Sequence, residues 1–349
     1  MAQQAYMTET DNGGSGPERP GSRLRRLVHR LLAGWRGDPR IWRRGIILAV
    51  LALLLALVML VHSRVPNRVG NLGSLTETFL PWLGLAIPVL FLLGLLRRSA
   101  TALIAVVLPA VVWLNLFGGL LTDKTGSGGD LMVATHNVNA ENPDPAATAR
   151  EVAASGADVL ALEEVPGTAV STYEKALAPT YRYHGVEGTV GLWSKYPMSD
   201  VQAVDIKLGW TRAMRATITT PKGPVAVYVA HMPSVRVKVE AGFTARQRDK
   251  SADALGEAIA DEPLKRVVLL GDLNGTMNDR SLNAVTSQMR STQGAAGSGF
   301  GFSWPASFPM ARIDQIMVRG VEPESSWTLP RTGSDHLPVA ARVKLDTSA

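Results

Sequence analysis

The chain has 349 residues, with 36 Lys and Arg against 30 Asp and Glu, six His and no Cys. The lack of thiols excludes cysteine nucleophiles, thiol redox pairs and thiolate metal sites, so any metal has to sit on oxygen or imidazole ligands. Charge is unevenly placed, 13 basic against 5 acidic residues in 1–122 and 23 against 25 in 123–349, so the basic excess that would otherwise suggest a nucleic-acid binder belongs to the first third.

Residues 1–22 are polar and rich in Gly, Pro and Ser, with no apolar period, and read as a disordered tail. The stretch Arg23 to Arg44 mixes Leu, Val and Trp with Arg, the pattern of either an interfacial basic helix or a solvated juxtamembrane segment. Three uncharged runs come next, Gly45 to Val61, Phe79 to Leu96 and Ala100 to Leu121. At roughly 1.5 Å per residue each reaches about 25–33 Å, the depth of a hydrocarbon core, so residues 45–121 are expected to form three transmembrane helices. Arg36, Arg40, Arg43 and Arg44 precede the first run, while the two connections tie, with Arg64 and Arg68 in one and Arg97 and Arg98 in the other. The tail is therefore expected on the cytoplasmic side, and an odd number of spans places everything after Leu121 outside the cell. No run contains an ionisable residue, which argues against a channel or transporter. Residues 122–130, TDKTGSGGD, read as a flexible linker.

From residue 131 to 349 one design repeats: a short, β-branched apolar run that ends in polar residues. The runs are LMVATHNVN, DVLALEEV, VAVYVAHMPS, RVVLLGDLN, RIDQIMV and SDHLPVAARV. Between them lie helical patterns. Asp144 and Pro145 are a cap and a first-turn proline, Gly156 closes that helix, and a second runs from about Thr244 to Ala260. Strands alternating with helices and hairpins predict one α/β domain.

The polar strand ends carry the chemistry. Glu163 and Glu164 form a carboxylate pair that needs water or a cation to offset its repulsion. Gly271 permits a tight turn that lets Asp272 and Asn274 converge on one point. Asp314 lies inside an apolar strand, where a carboxylate requires an imidazolium or an N–H partner. Ser334, Asp335 and His336 precede the last strand; Asn137 and Asn139 end the first, and His231 comes directly after VAVYVA.

Taken in order, THNVN, LALEEV, YVAHMPS, LLGDLNG, RIDQIMV and GSDHLPV resemble the endonuclease/exonuclease/phosphatase superfamily, the DNase I-like metal-dependent phosphodiesterases; LWSKYP and SWPAS look like that family's flanking segments. The resemblance covers about residues 131–345. It implies a four-layer α/β sandwich, here preceded by the three transmembrane helices, and Mg2+ or Mn2+ as cofactor. It further implies Glu164 as metal ligand, with Asp335 and Asn139 on the metal side. Asn137 would contact phosphate and orient carboxylates, and His231 would donate to a phosphate oxygen. Asp272 and Asn274 would position the attacking water and the phosphate, and Asp314 would orient His336, the acid/base or phosphate-contacting imidazole. The family commonly has Gln where this chain has Glu163, a substitution expected to add negative charge beside the ligand and so to bear on substrate class.

These readings converge on a membrane-anchored, outward-facing, divalent-metal-dependent hydrolase of phosphodiester or phosphomonoester bonds, acting on nucleic acid, nucleotides, inositol phosphates or phospholipid head groups. The alternative is a catalytically silent binding module that retains the fold. The near-neutral balance of residues 123–349 speaks against long polynucleotides, although Arg212 with Arg215, or Arg236, Lys238, Arg246 and Arg248, could line a cleft or form solvated faces.

Overall fold

The computed structural model describes residues 39–67, 70–234 and 242–346. Most of the basic tail, with Arg68, Arg236 and Lys238, lies outside them, and Arg246 falls where side chains are not described.

Helix α1 (Ile46–Val61) and helix α4 (Ala100–Phe117) lie in two stretches, Arg40–Arg64 and Ala100–Leu120, long and apolar enough to cross a membrane. The second apolar run departs from the expected single straight span. A short helix α2 (Leu72–Thr78) turns by 66° into a segment that is 3-10 helix over Leu80–Leu85 and α-helix α3 over Ala86–Leu96. A third span exists only if this bent pair counts as one. The bend has a local cause: Pro81 offers no N–H to the ladder, and side chains from elsewhere satisfy and fix the turn. The Trp113 indole donates to the Pro81 carbonyl at 2.8 Å and the Trp82 indole to the Met310 carbonyl at 2.7 Å.

Residues 122–130, expected to be flexible, are pinned to the domain on their C-terminal side. Lys124 N donates to Gly297 O at 3.3 Å, and Asp130 N donates to Val343 O at 2.8 Å.

Twelve strands then form two six-stranded sheets. They are β1 (Leu131–Asn137), β2 (Val159–Glu163), β3 (Tyr183–Glu187), β4 (Val190–Ser194), β5 (Met198–Ala203), β6 (Ala213–Thr220), β7 (Gly223–Ala230), β8 (Val267–Asp272), β9 (Arg290–Ser291), β10 (Asp314–Arg319), β11 (Glu322–Thr328) and β12 (Val339–Lys344). One sheet has the order β11-β12-β1-β2-β4-β3 and the other β5-β6-β7-β8-β10-β9, with β1/β2 and β7/β8 the parallel pairs. Strand alternation sorts the side chains: Val133, Val159, Ala161 and Leu192 of the first sheet meet Val227, Val229, Leu270 and Ile316 of the second in a buried core between them. The outward set, Ala134, Leu160 and Leu162, packs under helix α5 (Pro145–Ala153) and helix α6 (Val170–Leu177), and Tyr228 and Leu269 pack under helix α7 (Gly242–Ala260). This is a mixed α/β sandwich of four layers, each fully buried Val or Leu contributing about 1.5–3 kcal/mol. Helix α5 opens as its sequence predicts, with Asp144 accepting from Ala147 N at 2.9 Å and Pro145 in the first turn.

The register brings the polar strand ends together. Asn137 sits opposite Glu163 across β1/β2, and Asp314 opposite Asp272 across β8/β10. Gly271 makes this possible: its φ is +144°, and a Cβ there would run into the Ala230 carbonyl of β7. A side chain at 271 would push β7 away and carry His231 with it.

Candidate active site

At this edge lies a cavity of about 690 Å³ lined by Glu164, His231, Asp272, Asn274, Asp335 and His336 among others. Six of the nine residues expected at the site therefore share one space. Beneath it Asp314, fully buried, faces Nδ1 of His336 at 2.9 and 3.1 Å and accepts from Ser303 Oγ at 2.6 Å. Burial works against the His336 charge, but the carboxylates of Asp314 and Asp272 outweigh it and push the imidazole up to about 10; the imidazolium in turn holds Asp314 below the usual carboxylate range in spite of burial. At neutral pH this pair is an imidazolium locked onto a carboxylate.

Asp272 is 1% exposed. Its Oδ2 accepts from Nδ2 of Asn137 at 3.0 Å and Nδ2 of Asn274 at 3.1 Å, and its Oδ1 accepts from Asn274 N at 2.8 Å. Burial, reinforced by Asp314 and opposed by His336, pushes it up to about 7. Both asparagines thus position this carboxylate. Asn137 is itself buried, with Oδ1 accepting from Asn139 N at 3.0 Å, and Asn274 also donates to Met232 O at 2.9 Å. Asn139 is not brought to the cavity. Its Oδ1 accepts from Glu141 N at 2.9 Å, closing a turn in which Asn139 takes a φ of +61°.

Glu164 also takes a left-handed φ of +60°, which swings it out of the strand. One oxygen accepts from Ala140 N at 3.2 Å, and the other lies 3.5 Å from Nε2 of His231. His231 is buried, and burial, with Arg212 and His336 adding to it, holds its pKa well below the usual imidazole value, so the ring is neutral. An Arg212 N–H reaches Nε2. Arg212 also stacks on Trp210, 5.0 Å from the ring centroid, and both line the cavity.

Glu163 corrects a sequence expectation. It is fully buried, and burial raises its pKa well above the usual carboxylate range, against the Thr135 hydroxyl that donates to it at 2.6 Å. A neutral carboxyl adds no charge beside Glu164; in shape and hydrogen bonding it stands where a glutamine would.

Asp272, Asp314 and His336 present ligand atoms within 4.8 Å of one another. As a metal cage this trio is unsuitable, because both Asp314 oxygens are engaged by His336, and a cation there would have to displace an imidazolium. The carboxylates open to the cavity are Glu164 and the exposed Asp335. Hard oxygen donors with room for water fit Mg2+ or Mn2+.

Sequence reasoning missed the rest of the wall. Trp304 and Ile313 flank the Asp314–His336 pair, and Leu75, Thr78 and Phe79 reach it from the segment around α2. Of the basic residues considered for a cleft, Arg212 lines it. Arg215 is instead spent on Glu262 at 2.9 Å, and Arg248 on Asp279 at 2.6 Å.

A model of the Endonuclease/Exonuclease/phosphatase family matches residues 134–336. Solved structures with a similar fold include an endonuclease/exonuclease/phosphatase from Bacteroides vulgatus (18% identity, covering 63% of this chain and 100% of that one, TM-score 0.53). Others are a mannosyl-6-phosphatase from Bacteroides thetaiotaomicron (17%, 61% and 99%, TM-score 0.51) and beta toxin from Staphylococcus aureus (16%, 61% and 99%, TM-score 0.51). No curated protein matches.

Proposed function

The chain belongs to the endonuclease/exonuclease/phosphatase family, and from that premise we propose that it is a divalent-metal-dependent hydrolase of phosphoester bonds, anchored in a membrane with its catalytic domain on the outer side. The observation that carries the reading is the convergence of Glu164, Asp272, Asp335 and His336, from three separate segments, on one cavity with the Asp314–His336 pair beneath it.

The chemistry is set by charge. Hydrolysis of a phosphoester builds negative charge on the nonbridging and leaving oxygens, and fixed donors aimed there lower the barrier. Glu164 and Asp335 would hold the divalent cation, which supplies positive charge against the phosphate when bound. Asp272, aligned by Asn137 and Asn274 and titrating near neutrality, is the group suited to orient a water and take its proton. His336, held protonated by Asp314, is the donor to a developing oxyanion or leaving oxygen. Arg212 adds a second cationic donor on the His231 wall. Two apolar helices support the anchoring, and the basic residues ahead of them, with the bent segment counted as a third crossing, support the outward orientation.

The test is turnover by the full-length protein in detergent micelles of a phosphodiester and a phosphomonoester with a chromogenic leaving group, with Mg2+ and with EDTA. Mg2+-dependent turnover that falls by about a thousandfold in Glu164→Gln is expected. A folded protein that binds Mg2+ yet hydrolyses neither would be the silent binding module instead. Glu164→Gln is the cleaner probe than His336→Ala, which strands the buried Asp314 charge and is expected to cost about 3–5 kcal/mol of stability.

A further inference from the structure

The catalytic domain does not build its cavity alone. Leu75, Thr78 and Phe79, from the connection between the apolar helices, line the same space as Glu164 and His336. They are held there: Ser74 Oγ lies 3.3 Å from Nη1 of Arg248, and the Glu77 carbonyl accepts from Thr276 Oγ1 at 3.2 Å. Two residues beyond Phe79, Pro81 and Trp82 begin an apolar groove of about 450 Å³ whose other walls include Leu85 of the bend, Leu114 of α4, and Phe300 and Phe302 of the catalytic domain. Leu85 and Leu114 are 60% and 53% exposed, so the groove belongs to the surface that a bilayer would cover. Trp210, on the cavity wall, and Phe308, in the turn after Trp304, are 56% and 64% exposed, as are aromatic rings that sit at a membrane interface.

We propose that the substrate is the phosphoester head group of a bilayer lipid, bound in the cavity against Leu75 and Phe79 while an acyl chain lies along the groove that starts at Pro81 and Trp82. This rests on the hydrolase reading above and narrows it to one substrate class. A soluble phosphate would gain nothing from apolar side chains contributed by the membrane-side helices. A polynucleotide needs a row of cations to follow its backbone, and of the arginines and lysines among the described residues Arg212 is the one that lines the cavity. One phosphate group matches that supply. In the reaction the oxygen of water bonds to phosphorus as the P–O bond to the leaving alcohol breaks. One water proton ends on that alcohol, and the other stays with the phosphate product or passes to solvent.

The decisive experiment reconstitutes the full-length protein with Mg2+ into vesicles of phosphatidylcholine, phosphatidylglycerol and phosphatidylinositol and follows phosphoester cleavage by phosphorus NMR. The same preparation in detergent micelles receives the deacylated glycerophosphodiesters of those lipids, plasmid DNA and bis(p-nitrophenyl) phosphate, at matched phosphoester concentration. A lipid is expected to be cleaved on the order of 100-fold faster than its deacylated counterpart, since the chain adds buried apolar area and the anchor raises local concentration. Phe79→Ser should raise KM for the lipid severalfold with a smaller effect on kcat. Equal or faster cleavage of the deacylated diesters or of DNA overturns the inference. So does turnover of bis(p-nitrophenyl) phosphate with no lipid cleaved, an outcome that leaves the hydrolase reading standing. No turnover of any of these substrates by a folded, Mg2+-loaded protein overturns both.

Discussion

Glu163 and Glu164 are neighbours in sequence with opposite electrostatic fates. Glu163 is the last residue of β2 and points into the sandwich, where burial keeps its proton on; Glu164 leaves the strand through a left-handed φ and reaches the cavity. Glu163→Gln keeps the shape and the bond from Thr135 and exchanges one neutral group, a protonated carboxyl, for another, an amide, so kcat/KM is expected to stay within about threefold of the parent. If Glu163→Gln were as damaging as Glu164→Gln in the same chromogenic assay, the buried group would be an ionised participant. Residue identity at the strand ends was legible in the sequence because a carboxylate or imidazole that closes an apolar run has no packing reason to be there. Which member of a pair faces the cavity was legible only through the family resemblance, which picked Glu164, since it depends on one backbone dihedral. Arg212 was equally hard to single out: nothing in GWTRAMR separates it from Arg215, and only the β6/β7 pairing sends one to His231 and the other to Glu262.

At the scale of elements, the strands that carry the site were the ones sequence could find. β1, β2, β7, β8, β10 and β12 are nearly continuous apolar runs, whereas β3, β5 and β11 are half-exposed edge or near-edge strands whose pattern is weak. The second apolar run misled for a related reason. Its composition suits a span, but Pro81 and the indoles of Trp82 and Trp113 bend it, and two of those contacts come from distant sequence. Arg248 of α7 ties these elements together. It pairs with Asp279 at 2.6 Å, donates to the Asn274 carbonyl at 2.7 Å beside the Asp272 carboxylate, and reaches Ser74 of α2. Arg248→Ala leaves Asp279 buried without its partner and is expected to lower stability by about 3–5 kcal/mol, read as a drop in thermal midpoint in detergent. Arg248→Ala combined with Asp279→Ala should recover part of the loss, because no charge is then stranded. A single variant that unfolds like the parent would mean that the pair carries no net stability.

Across the whole molecule, the apolar helices and the sandwich are built as one unit rather than as anchor and passenger. Phe300 packs among Met59, Leu80, Val112 and Phe117, Trp82 stacks on Phe302 with centroids 5.6 Å apart, and residues 122–130 are hydrogen-bonded to the domain they precede. A unit packed in this way would fix which face of the sandwich meets a bilayer, and the proposed orientation then has a sharp consequence. Because the chain has no cysteine, a single one can be introduced and read without background. Ser199→Cys, on an exposed position of β5, is expected to react with a membrane-impermeant maleimide in intact cells. Ser15→Cys, in the tail, should react only after the membrane is opened. Two crossings, with the bent segment lying at the surface instead of spanning, would put both cysteines on the same side. The bend at Leu80 makes that the real alternative to three crossings, and the labelling pattern separates the two: opposite accessibility supports an odd number of crossings, and matched accessibility requires an even one, with the cavity then facing whichever leaflet the tail faces.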